Sequence, residues 1–227
     1  TPFTYINTGI ATLIGVGSTS LLSRAIGEGN QRTIDKVMGH LCFWVLLLST
    51  IVTILGYLFC GQLLMIFGAK GELLNLSTRY LRIIFLGSIF VNFAQAANMV
   101  MRGEGLMKRA MLIMSLGAGI NIVLDPVLMI MFREHGVEGA AIATITAQFI
   151  QAVFTLWYFK KKSETVKIGL IRKEKEIIGE MFSVGVSAML MQVLTIIQQS
   201  FLYSQAFRYG GETSAAIMAV SLRIQAF

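Results

Sequence analysis

Apolar residues in this chain fall into long blocks of helical length, separated by short polar breaks. Such blocks run near 3–24, 36–60, 76–101, 109–132, 138–160 and 177–207, and a seventh begins near 213. About 20 mostly apolar residues suffice for a helix to cross a bilayer. The breaks carry turn or charge residues: GEGNQR at 27–32, GAKGE at 68–72, RGEG at 102–105, REHG at 133–136 and GGE at 210–212. Backbone polar groups in hydrocarbon must be satisfied within the segment, so the pattern predicts an all-α polytopic membrane helix bundle. Glycines inside the blocks, such as Gly15 and Gly17 or Gly117 and Gly119, predict close helix–helix approach.

Composition strengthens that prediction. Of 227 residues, 55% are hydrophobic and 14% charged, against roughly 25% charged in a soluble domain. Cys42 and Cys60 share one block, about 27 Å apart on a continuous helix, which is beyond disulfide reach. The chain opens on Thr1 and closes on Phe227 within an apolar run. It is therefore expected to be part of a longer protein, truncated at both ends.

The net charge of +7 is unevenly placed. Alternate breaks lie on opposite membrane faces. One face collects Arg24, Arg32, Lys36, Arg102, Lys108, Arg109 and the seven basic residues from Lys160 to Lys175, making 13 of the 19 cations. The other holds Lys70, Arg79, Arg82, Arg133 and Arg208, and Arg223 lies in the last block. The positive-inside rule places the richer face in the cytoplasm. The excess charge is thus mainly a topology signal. Contact of the KKK run at 160–162 with nucleic acid or anionic lipid is the lesser alternative, and no nucleic-acid partner is expected. The long polar stretch YFKKKSETVKIGLIRKEKEIIGE at 158–180 predicts a linker between two bundles. The expected division is a first lobe over 1–160, a cytoplasmic linker over 161–176 and the start of a second lobe over 177–227.

Asp125 is the one acidic residue well inside an apolar block. A carboxylate there costs about 2.5–3.5 kcal/mol on insertion scales, so it is expected to face a cavity and bind something. Asn121 lies one turn earlier on the same helix face. Pro126 has no N–H, which frees the carbonyl of Ile122. Oxygen clusters at interrupted helices suit protons or hard cations. The plainer alternative is a bond from Asp125 to a neighbouring helix or to Arg133. Polar stripes mark other helices: Asn92, Gln95 and Asn98; Thr144, Gln148 and Gln151; Gln192, Thr195 and Gln199. With Met114, a polarisable residue seven before Asn121, they predict a cavity. Its substrate-facing residues would be Met114, Gln95, Gln148 and Gln192.

Sites for soluble chemistry are missing from the pattern. His40 and His135 lack metal-ligand spacing, and the Gly-containing breaks lack a phosphate-cradle context. No catalytic residue, no cofactor and no ATP is expected, and no metal beyond Na⁺ at Asp125.

MRGEGLMKRA at 101–110, GAGINIVLDPVLM at 117–129, GVEGAAIATITAQ at 136–148 and GVGSTSLLSRAIGEGN at 15–30 resemble the multidrug and toxic compound extrusion (MATE) family. The resemblance is greatest to the prokaryotic, DNA-damage-inducible branch. It implies a two-lobe transporter of twelve helices, of which this chain covers helices two to seven and part of eight. It also implies a cation site in which Asp125, Asn121, Asn98 and Thr144 match family positions. One departure is Gly185-Val186-Ser187, where the family often has Gly-x-Pro. The implied function is H⁺- or Na⁺-coupled antiport, exporting organic and often cationic compounds across a prokaryotic cell membrane by alternating access. The alternative is a flippase of lipids or lipid-linked oligosaccharides from a related superfold, which would need cavity-facing cations. Only Arg223 and Arg82 could serve. A membrane enzyme would need a nucleophile or metal cluster, and a channel a filter or charged ring; the sequence offers neither.

The topology can be tested with single cysteines at Asn30, Gly71, His135 and Ser163. An impermeant thiol reagent added to intact cells should label positions 71 and 135 and spare 30 and 163. Labelling at 163 from outside would reverse the assignment.

Overall fold

The computed structural model describes residues 2–66, 71–132, 136–161, 163 and 175–225. Residues 133–135 of the REHG break, most of the GAKGE break, Lys162 and the linker over 164–174 lie outside the described residues, as does the side chain of Arg223. Six helices follow one another: α1 (Pro2–Gly27), α2 (Gln31–Ile66), α3 (Gly71–Gly103), α4 (Met107–Met131), α5 (Gly136–Lys161) and α6 (Lys175–Gln225). Each contains a segment long and apolar enough to cross a membrane. Among the described residues there is no strand. The predicted sixth and seventh blocks are parts of α6, separated where Gly211 leaves helical geometry at φ 66° and ψ −164°. Its lack of a Cβ permits that left-handed φ.

α2 runs unbroken past both cysteines, and both are free thiols. α4 passes through Pro126 without ending.

The bundle is organised around α1, which packs on α2, α3 and α6, while α3 joins α2, α1 and α5. α4 is peripheral and packs chiefly on α5. Buried side chains of α1, α2, α3 and α6, among them Ile14, Leu22, Met38, Leu41, Val100, Met101 and Met181, form the main core with Tyr158 and Phe159 of α5. Cys60, Leu64, Leu81 and Phe85 form a second cluster between α2 and α3.

The crossings explain the glycines. A Cβ on Gly17 would overlap the carbonyl of Met181, and one on Gly185 the carbonyl of Leu13. α1 and α6 therefore touch backbone to backbone in antiparallel register. Ser18 Oγ adds a contact to Met181 Sδ at 3.2 Å, and Arg24 pairs with Glu180 near the basic end. Gly15 sits against Ala96 and Met99 of α3, and Gly139 against the Leu128 backbone of α4. Gly117 abuts Gln151, whereas Gly119 meets nothing. Close approach was thus legible for one member of that pair only.

Gly17→Ala or Gly185→Ala should separate α1 from α6 and cost about 1–3 kcal/mol through overpacking. Gly61 meets nothing within 4 Å, so Gly61→Ala should be neutral or stabilise by up to about 1 kcal/mol. Thermal unfolding of the detergent-purified full-length protein compares them; equal Tm values for all three variants would contradict the crossing.

Candidate functional site

Position along α4 follows from its contacts with α5. Leu128 lies against Gly139 and Gly117 against Gln151, so the two helices run antiparallel and Thr144 is level with 123–124 of α4. Asn121 Nδ2 donates to Asp125 Oδ1 at 3.1 Å, and both residues are half-buried. Asn121 points within about 20° of the Leu128 direction, toward α5, and Asp125 flanks the contact. The carbonyl of Ile122 faces Pro126, which has no N–H to offer it. Thr144 Oγ1 donates to Ala140 O at 3.0 Å, leaving its oxygen lone pairs free to accept. Two oxygens of Asp125, an amide oxygen of Asn121 and an unpaired helix carbonyl are thus assembled within one turn, with a hydroxyl at the same level.

Two neighbours had no counterpart in the sequence reading. Tyr80 of α3 lies within electrostatic reach of Asp125. Arg79 pairs with Glu138 across α3 and α5 at 3.4 Å, a half-exposed bridge of small energetic weight. Both sit near the start of α3, and only the fold brings Tyr80 within reach of the α4 acid.

Asn98 is elsewhere. Buried, it donates to Ala110 O at 2.8 Å and accepts from Arg102 Nε at 3.1 Å. Ala110 precedes Asp125 by fifteen residues, about 22 Å along α4. Met114 belongs to this basic end too, since Arg102 Nη2 reaches its Sδ at 3.1 Å. Asn92 donates to Ser49 Oγ of α2 at 2.8 Å, buried between helices. At 100° per residue Asn92 and Asn98 stand about 120° apart, so the α3 stripe cannot face one cavity. Gln151 is buried on Gly117, which turns the α5 stripe toward α4. Gln95, Gln148 and Gln192 are half-buried. Thr195 bonds its own helix at Met191 O, and Arg82, exposed, stacks over Tyr57 at 5.3 Å.

A sizeable cleft lies away from Asp125. About 590 Å³ in volume, it opens between the end of α1, the α1–α2 turn and the start of α6, lined by Arg24, Glu28, Arg32, Lys175 and Glu180. None of the predicted lining residues borders it. α4 meets too few described helices to enclose space around Asp125.

At the same basic end, the α3–α4 turn carries Glu104. Its Oε1 accepts from Ser163 Oγ at 3.2 Å, while Oε2 is buried without a partner. Burial pushes this carboxyl up to about 7, a rise only partly offset by the Ser163 bond and by Arg109. His40 is also buried, with neither ring nitrogen hydrogen-bonded. Among the described residues no cluster of three His, Cys, Asp or Glu could hold a metal.

The MatE family profile matches residues 1–127. The multidrug export protein MepA of Staphylococcus aureus (strain MRSA252) is 32% identical over 188 residues, 82% of this chain and 42% of MepA. A solved structure described as the outward-facing conformation of a multidrug resistance MATE family transporter of the MOP superfamily superposes on 99% of the chain. It gives a TM-score of 0.90 at 32% identity, and the chain covers 50% of it. The structure described as the inward-facing conformation superposes on 98% with a TM-score of 0.83 at 34% identity, covering 51%. The chain thus spans about half the length of the proteins it matches.

The raised Glu104 carboxyl binds a proton more tightly folded than unfolded. Its stabilising contribution is full below about pH 4.5, the unfolded value, and is lost as pH rises through about 7. Glu104→Gln should stabilise the full-length protein at pH 8 by about 1 kcal/mol after solvent screening, raising its Tm, and leave it nearly unchanged at pH 5. An equal shift at both pH values would mean that ionisation of Glu104 is not responsible.

Proposed function

Because the chain belongs to the MatE family, we propose that it forms part of a cation-coupled antiporter that exports organic, often cationic compounds. The observation that carries this reading is the Asn121–Asp125 pair on α4 beside the unpaired carbonyl at Pro126. Cation uptake there, of H⁺ or Na⁺, changes the charge of α4 within the membrane and so biases two arrangements of the transporter. Thr144, at the same level on α5, and Tyr80, within electrostatic reach of Asp125, are candidate further oxygens. Asn98, matched to the family's site by resemblance, is assigned to positioning: it ties α3 to the first turn of α4.

In this reading residues 1–160 form one lobe, 161–176 the cytoplasmic linker and 177–227 the start of the other. The glycine crossing of α1 on α6 is then the contact between lobes. Its closure beside the Arg24–Glu180 pair fits a transporter shut at the basic end, as does the higher superposition on the outward-facing structure. The names of relatives such as MepA support organic substrates, with Gln95, Gln148, Gln192 and Met114 as candidate contacts during the cycle. Transport draws on the ion gradient and not on ATP, and the setting is a prokaryotic cell membrane. The flippase alternative loses ground because Arg82 is exposed and engaged with Tyr57.

Asp125→Asn keeps size and polarity but cannot titrate or neutralise a cation. In proteoliposomes of the full-length protein under imposed H⁺ or Na⁺ gradients, it should lower gradient-driven efflux on the order of tenfold or more. Asn121→Ala should cost less, because the charge remains. Wild-type efflux by Asp125→Asn under both gradients would make the pair interhelical glue.

A further inference from the structure

We propose that the groove between α4 and α5 at the basic end binds an anionic phospholipid, its phosphate on Arg109 and its acyl chain on Leu112, Phe154 and Trp157. The groove has a volume of about 240 Å³ and is lined by those four residues with Ile113 and Tyr158.

Arg109 is pre-set for this contact. Its Nη1 donates to Tyr158 Oη at 3.1 Å, and the guanidinium lies 5.6 Å from the Tyr158 ring centroid. Tyr158 is itself 4% exposed, so the platform is fixed by the core. These contacts leave further N–H donors of the exposed guanidinium outward. Lys108, Lys160 and Lys161 are exposed around the same end, and among the described residues no salt bridge joins any of the four cations to an acid. Glu104 is within electrostatic reach of Arg109, and burial favours its neutral form, which weakens its claim on that charge.

The walls suit a lipid tail. Leu112 is 69% exposed and Trp157 45%, with Phe154 exposed between them. Arg109 and Leu112 stand about 140–160° round α4 from Asp125, so the groove and the Asn121–Asp125 pair lie on opposite flanks of the α4–α5 contact. A face rich in apolar side chains, opposite the polar one, is the lipid-facing side of a membrane helix. The aromatic ring of Trp157 beside a cluster of cations places the groove at the membrane interface. Basic pockets between helices at the cytoplasmic surface recognise anionic headgroups. A nucleic acid would use the cations but not the apolar wall, and a zwitterionic lipid the wall but not the net charge.

Trp157 reports on the groove directly. The full-length protein is reconstituted in phosphatidylcholine vesicles containing equal fractions of brominated phosphatidylglycerol or brominated phosphatidylcholine, and Trp157→Phe isolates the Trp157 signal. Brominated phosphatidylglycerol should quench Trp157 more strongly, corresponding to an enrichment of roughly fivefold. Arg109→Gln and the surface double variant Lys160→Gln/Lys161→Gln should each reduce that preference. The lysine pair makes no core contact, so it tests the site even where Arg109→Gln disturbs Tyr158. Equal quenching by the two lipids, or a preference that survives both variants, would overturn the proposal. So would protection of Trp157 from both lipids, which would mean that protein covers the groove.

Discussion

Helices in lipid gain little from the hydrophobic effect when they associate, because the acyl chains they leave are as apolar as the side chains they meet. What remains is close packing, and here it is achieved at glycines. The contact of Gly17 and Gly185 with opposing carbonyls brings α1 and α6 as near as two helices can come. Gly15 does the same for α1 and α3, and Gly139 for α4 and α5. Short separation multiplies dispersion contacts along the whole crossing. It also sets the register of every neighbouring side chain, including the level at which Thr144 stands beside Asp125.

The same constraint bears on the polar stripes. A polar stripe on a membrane helix has two uses, lining a space or bonding to another helix. Asn92 on Ser49 and Asn98 on Ala110 take the second. Each is buried, and each ties α3 to a partner, α2 in one case and α4 in the other. An unbonded amide there would be costly in a medium without water. The family's Gly-x-Pro position is a related case. Gly185 retains the close approach to Leu13, and with Ser187 in place of proline α6 continues as helix, Ser187 Oγ bonding to Ser183 O at 3.2 Å.

Span positions were legible because each requires some twenty apolar residues and ends on polar or glycine-containing breaks. Gly29, Gly71, Gly105 and Gly211, with positive φ, fall in four of those breaks. The Asn121–Asp125 pair was legible too, since helical spacing alone brings residues four apart together. Tyr80 was not, because nothing local links it to a residue forty-five positions later. Glu104 sat in plain view in RGEG, yet its burial depends on Ser163, which belongs to a distant stretch of chain. Asn98 matched a family position, and pattern alone could not show that α3 and α4 meet near its level at their basic ends.

α4 is held very differently along its length. Its buried residues are Ala110 and Gly117, one gripped by Asn98 and the other by Gln151. Beyond them it touches α5 at Leu128 and Met129, keeps Asn121, Leu124 and Asp125 half-buried, and presents exposed apolar side chains such as Ile122, Val123, Ile130 and Met131. An acid at the firmly held end could change charge only by opening the core around it. At the loosely held end the same change needs only a small tilt of α4 about its anchored first turns. The missing N–H at Pro126 lowers the stiffness of that segment further. On the proposed reading, Asp125 thus stands where cation binding can be converted into helix movement at little cost to the fold. Asn98 and Arg102 hold the other end as the pivot.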